Sequence, residues 1–144
     1  MFALEITFDA DHLVRALADA RHDLEHDDKL LKSIGLSLLQ ANQKRHDAGQ
    51  DPSGKPWTPL KPATIKHKKN PKMLVEHGDM LRFYSRAANN SVVIGTVDRK
   101  AYWHHAGTSR GLPERKLVGF ERDDKVLTNE IIEDYLCLIL NRVR

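Results

Sequence analysis

The chain has 144 residues, 40% of them hydrophobic and 30% charged, with a formal net charge of +3. That is enough sequence for one domain with a real interior, so residues 1–144 are read as a single globular domain; no apolar run reaches the ~18 residues a membrane span requires. The charge is uneven: residues 1–51 carry six Lys or Arg against ten Asp or Glu, residues 52–75 carry six Lys and no acid, and residues 76–144 carry eleven against ten, so the basicity is one local segment rather than the spread of a chain-wide polyanion binder.

The N-terminus, MFALEITFD, alternates Phe2, Leu4, Ile6 and Phe8 with other residues, which predicts a half-buried strand. It lacks a basic start followed by an apolar stretch, so no secretory leader is expected. Asp9 or Asp11 can cap a helix through residues 12–24, with Leu13, Leu17 and Leu24 as its apolar stripe. A second helix is predicted over residues 28–45. Leu30, Leu31, Ile34, Leu38 and Ala41 recur at helical spacing, Lys29, Lys32 and Gln40 point outward, and Gly35 marks a close helix contact.

Residues 47–71 hold five of the six prolines. They read as a long loop ordered around Trp57, which plugs the core, with one short helix that Pro62 starts and Asn70-Pro71 stops. A turn or short helix at residues 78–82 precedes a hairpin, RFYSRAA and SVVIGTV, joined by Asn89-Asn90. AYWHHAG is a single helical turn closed by Gly107, TSRGLPERK a loop, and KLVGF a last short strand. The end is a long helix capped by Asp123 or Asp124, with Ile131, Ile132, Tyr135, Leu136, Ile139 and Val143 as its stripe and Arg142 and Arg144 suiting its dipole. Cys137, the only cysteine, lies in the apolar run YLCLIL and is expected to pack as a small core residue. Alone it forms no intramolecular disulfide, which fits a reducing cytoplasm. Strands and helices in separate blocks predict an α+β fold: a small antiparallel sheet against N-terminal helices and a long C-terminal helix, with a long Pro-rich loop.

The candidate chemistries are few. His104 and His105 are adjacent, so on a helical turn they diverge by ~100° and do not readily share a metal ion. His22 and His26 have a ligand-like spacing of four but sit on a charged helix end. No Cys/His pair completes a zinc pattern, no nucleophile elbow is present, and Glu76, Asp79 and Glu114 are unpaired in sequence. No catalytic residue, metal or cofactor is therefore expected. The basic segment with Lys66, Lys68, Lys69 and Lys72 is either a solvated face, a dock for an acidic partner, or a nucleic-acid footprint with Trp57 as its one aromatic.

Several of these pieces, taken together, resemble the phage virion morphogenesis family, the tail completion proteins of contractile-tailed phages and prophages. A Pro-x-Gly-x-x-Trp-x-x-Leu loop is matched by Pro52, Gly54, Trp57 and Leu60, followed by Thr64 and KHKK. Then come Leu74, Gly78 and Met80, a hairpin ending in Val92 or Val93 with Gly95, a helical turn with Ala101, His104 and Gly107, and Pro113, Arg115 and Gly119. The matching elements span residues 52–119 in the family's order. His105 stands where the family usually has Gln, Lys100 where it has Tyr, and RKLVG where an Arg-Pro-Phe-Leu-Gly run is common.

The resemblance implies a structural protein, without enzymatic activity, that finishes the tail and makes it competent for stable joining to the head. It implies tail and neck proteins as partners and a place in the virion tail, after assembly in the bacterial host cytoplasm. A cap on a tube end matches the tube's rotational symmetry, so a homo-oligomeric ring is expected. The loop around Trp57 and residues 108–115 are the expected contact surfaces, with Arg110 and Arg115 placed for bonds across subunits, so that Arg115→Ala should spare the fold and block joining. The runner-up reading is a nucleic-acid-binding module using residues 66–72, and a third is a metal-dependent hydrolase using His104 or His105.

Overall fold

The computed structural model describes residues 10–26, 28–75 and 82–142. Their elements, in order, are α1 (Ala10–His26), α2 (Asp28–Asp47), α3 (Pro62–His67), β1 (Phe83–Ala88), β2 (Ser91–Thr96), α4 (Lys100–Ala106) and α5 (Arg122–Arg142). The class is α+β, with a small antiparallel sheet and a long C-terminal helix, as the sequence predicts. The strand expected over residues 2–8, the Asp9 cap, the turn around Gly78 and Met80 with Glu76 and Asp79, the His26 side chain and Val143 lie outside the described residues.

Helix α2 is the centre of the packing: the hairpin lies against it, α5 runs along it, and α1 meets α5. Leu30, Ile34 and Leu38 are buried, one helical turn apart, against Leu24, Val92, Ile94, Ile131, Ile132 and Tyr135. Burying such a side chain contributes about 1.5–3 kcal/mol, so this stripe is what holds the hairpin and α5 to α2. The strands pair from Phe83 with Thr96 to Ala88 with Ser91. Asn89 and Asn90 both adopt positive φ, 50° and 56°, as a two-residue turn matched to strand twist requires. Gly35 does mark a close approach, but to the hairpin instead of a helix: a Cβ there would lie 3.1 Å from Val92 Cγ1 and 3.3 Å from Ser85.

Three further expectations are corrected. Leu13 and Leu17 of α1 are 58% and 54% exposed, and the residues it buries are Ala16 and Ala20; the helix makes its close contacts through small side chains. Cys137 is exposed, as are its neighbours Leu138 and Leu140, while Ile139 is buried. An apolar run on a helix covers its whole circumference, and only one stripe meets the core. The expected cap on α5 is Asp124, which acts from inside the first turn: the helix begins at Arg122, and Asp124 Oδ2 accepts the Glu121 backbone N–H at 2.9 Å, the returning half of a capping box.

The third of these corrections is the last strand. Residues 116–120 belong to no sheet. Their backbone groups are met by side chains in place of a ladder: Lys116 O accepts Trp57 Nε1–H at 3.0 Å, Leu117 N donates to His105 Nδ1 at 3.2 Å, and Gly119 N donates to Asn42 Oδ1 at 3.2 Å. Leu117 is buried between exposed Lys116 and half-buried Val118. The extended alternation that suggested a strand is real, and its hydrogen-bonding partners are scattered.

A candidate interaction groove

The groove is built from the Pro-rich loop upward. Helix α2 ends in a Schellman motif: Gln50 N donates to Arg45 O at 2.9 Å and Gly49 N to His46 O at 3.0 Å, with Gly49 at φ 69°. Asp51 then organises a tight turn, accepting Ser53 Oγ at 2.7 Å and Lys55 N at 2.9 Å on Oδ1. The chain returns so that Trp57 N donates to Gly49 O at 2.8 Å. Trp57 is buried with Leu74, Ala101 and Leu117, and Met73 packs on them. It is the expected plug. Pro52, held by Gly119, fixes the other side: a Cβ on Gly119 would fall 2.6 Å from Pro52 Cβ, which no rotamer change relieves.

Two further loops complete the walls. Lys68, just after α3, donates its ammonium to three backbone carbonyls: Asn70 O at 2.8 Å, Lys72 O at 2.7 Å and Val75 O at 2.6 Å. This gathers residues 70–75 around one cation and carries Leu74 into the core at φ 58°, a conformation bulky residues avoid. On the facing side, Gly107 ends α4 at φ 70°, and a Cβ there would meet Glu114 N at 2.9 Å. Arg115 N donates to His104 O at 2.7 Å. Arg115 itself is 3% exposed, with Nε donating to Thr58 O at 3.0 Å and Nη2 to Pro59 O at 3.3 Å. It ties the α4 loop to the Trp57 loop.

Between these walls lies a cleft of about 690 Å³. Pro59, Leu60, Leu74, Leu112 and Pro113 give it an apolar floor, and Lys61, Lys100 and Arg110 stand exposed around it. Its remaining charged lining residues are Lys68 and Arg115, so no carboxylate lines it among the described residues. His104 also lines it, half-buried, with a buried Nδ1 that has no hydrogen-bond partner. Burial, then the neighbouring Arg115 charge, lowers the His104 pKa against the opposing pull of Asp98. Burial also lowers that of Arg115.

The sequence candidates are thus partly brought together. Lys68, His104, Arg110 and Arg115 share the groove, Trp57 supports it from beneath, and Lys66, Lys69 and Lys72 lie outside it. His104 and His105 do different things, since His105 Nδ1 accepts the Leu117 N–H. Among the described residues, no three His, Cys, Asp or Glu side chains are grouped to hold a metal ion.

Sequence reasoning missed Asn42, His46 and the pairing of Arg45 with Asp124. Asn42 spans α2 and Gly119, with Nδ2 donating to Leu38 O at 2.9 Å. Arg45 and Asp124 form a buried two-point ion pair. His46 is buried edge-on to Trp57 and Phe83, with neither ring nitrogen hydrogen-bonded. Burial lowers its pKa from the ordinary 6.5, Asp47 opposes and Lys72 assists. The unfolded chain therefore takes up a proton near pH 6.5 that the folded chain refuses, so stability is intact above that pH and declines as the pH falls below it. His104 acts in the same direction. Urea midpoints for His46→Leu are expected to fall less steeply below pH 6.5 than those of the wild type; parallel profiles would remove His46 as a source of acid sensitivity.

A model of the phage virion morphogenesis family matches residues 8–137. No curated protein and no solved structure matches the chain.

Proposed function

The chain belongs to the phage virion morphogenesis family, and on that premise we propose that it is the structural protein that completes the tail and makes it competent for stable joining to the head. Its role lies in phage virion assembly. The observation that carries the finer reading is convergence. Leu60, Leu74, His104, Pro113 and Arg115, dispersed along the sequence, meet at one groove, and Trp57 and Ala101 form the core beneath it. A built surface whose described lining residues include no carboxylate suits docking better than catalysis: its one imidazole, His104, has Arg115 in the same lining, and Asp98, which acts on it from nearby, is not among the lining residues.

The partners on this reading are tail and neck proteins, and the working form is a ring at the tube end, whose symmetry the cap would share. The protein acts in the virion tail, after assembly in the host cytoplasm. The nucleic-acid reading draws no support from Trp57, whose burial removes the one stacking platform near the basic segment. Electron microscopy of particles made without this protein tests the proposal. Filled heads beside unjoined tails are expected. Normally joined, infectious virions would overturn it.

A further inference from the structure

We propose that the groove seats a short acidic peptide segment of a virion partner, with apolar side chains on the Leu60, Leu74 and Leu112 floor and carboxylates on Lys61, Lys100 and Arg110. The inference rests on the reading that this chain joins virion proteins, and it names the chemistry of the contact.

Size sets the class of occupant. A cleft of about 690 Å³ lies in the range that encloses a compact ligand, so it takes a short segment and not a folded domain. The walls set the mode of recognition. Pro59 and Pro113 line the groove and have no N–H, so strand addition finds no continuous row of backbone donors there. Side chains must do the recognising. The floor is apolar and built on buried Leu74, while Trp57 fixes its depth from behind.

Charge sets the sign. Lys61, Lys100 and Arg110 are exposed, and among the described residues no carboxylate forms an ion pair with their side chains, although Asp98 Oδ1 accepts the Lys100 backbone N–H at 2.8 Å. Lys68 and Arg115 lie in the walls, their heads bonded to carbonyls, yet their charges still add to the field in the cleft. A low-dielectric cleft lined by one sign of charge focuses that field on whatever enters. An acidic segment with apolar residues satisfies both rim and floor. A single-stranded nucleic acid would satisfy only the rim, because among the described residues no Phe, Tyr or Trp lines the groove to stack its bases.

Fluorescence anisotropy with a labelled short peptide alternating Leu and Glu tests this, with an alternating Leu and Lys peptide and an oligothymidylate as comparisons. The acidic peptide should bind, the basic one should not, and the oligonucleotide should bind more weakly than the acidic peptide. Binding should weaken by about tenfold or more in Lys100→Glu/Arg110→Glu, where two attractive charges become repulsive, with far-UV circular dichroism unchanged. Raising salt should weaken the wild type without any substitution. Three results would overturn the proposal: no acidic-peptide binding, binding indifferent to the double substitution, or an oligonucleotide that binds as tightly. Wild-type self-association abolished by the same substitution would also overturn it, by assigning the groove to a second copy. Joined virions from phage carrying the double variant would sink the groove as an assembly contact and leave the tail role standing. Joined virions from phage lacking the protein altogether would sink the tail role, whatever the peptide does.

Discussion

Asp124→Ala is expected to lower stability by about 3–5 kcal/mol, the range for breaking a buried ion pair by removing one partner. Asp124 is 1% exposed, and its carboxylate makes three bonds. Oδ1 accepts Arg45 Nη2 at 2.7 Å, Oδ2 accepts Arg45 Nη1 at 3.1 Å, and Oδ2 also accepts Glu121 N at 2.9 Å. Alanine removes the pair and the helix cap together. It also strands Arg45, whose side chain is only 15% exposed, with Pro52 O as its remaining acceptor at 3.0 Å and an Nε that already lacks a partner. Each charge sits at a helix end whose dipole favours it, the acid in the first turn of α5 and the base in the last turn of α2. Urea unfolding should show a lower midpoint at unchanged slope. Arg45→Met/Asp124→Leu should recover much of the loss, because the cost lies in the abandoned charge more than in the absent bond. A loss under about 1 kcal/mol, as for an exposed pair, would show that the site admits water freely.

That pair marks the boundary of what the sequence discloses. Arg45 and Asp124 are 79 positions apart, and neither departs from what a solvated helix end would carry. The elements with a local cause were legible. Asn89-Asn90 announces its own turn through residues that tolerate positive φ, and the α2 stripe announces its buried face through a period that only a helix has. Local patterns with two physical outcomes do not disclose which one the fold takes. KLVGF alternates as a strand does, but extended backbone held by His105, Asn42 and Trp57 side chains alternates too. Leu13 and Leu17 form a stripe as apolar as the one on α2, and nothing within α1 says that Ala16 and Ala20 are what it buries.

The groove was half legible for the same reason. Its residues stand in recognisable elements, and the local excess of lysine was plain. What those cations do was not. A lysine that closes a loop on three carbonyls and a lysine that waits for a partner have the same sequence signature, and only Lys68's bonds to Asn70, Lys72 and Val75 separate them. On the groove proposal, the docking charge lies on Lys61, Lys100 and Arg110, with Lys68 closing a wall and Lys66, Lys69 and Lys72 outside the groove.

Arg115 raises the same ambiguity at higher stakes, and its replacement by alanine is expected to cost about 2–4 kcal/mol, from lost charged hydrogen bonds and a cavity left in the wall. The sequence suggested a contact residue whose removal spares the fold. The structure places it at 3% exposure, with Nε on Thr58 O and Nη2 on Pro59 O, between the loop that carries Trp57 and the loop that follows α4. Alanine would leave both carbonyls without their donor and detach the two walls from each other. Lysine keeps the charge, and one ammonium can meet several carbonyls as Lys68 does, but it lacks the rigid planar fork whose separate Nε and Nη2 meet Thr58 O and Pro59 O, so Arg115→Lys should recover only part of the stability. If Arg115 is a strut, failure of Arg115→Ala phage to join heads and tails should track the loss of folded protein and be relieved at lower growth temperature. Lys100→Glu/Arg110→Glu phage, altered only on the exposed rim, should gain nothing from cooling. An Arg115→Ala protein with a wild-type urea midpoint that still fails to join tails to heads would return this residue to the interface.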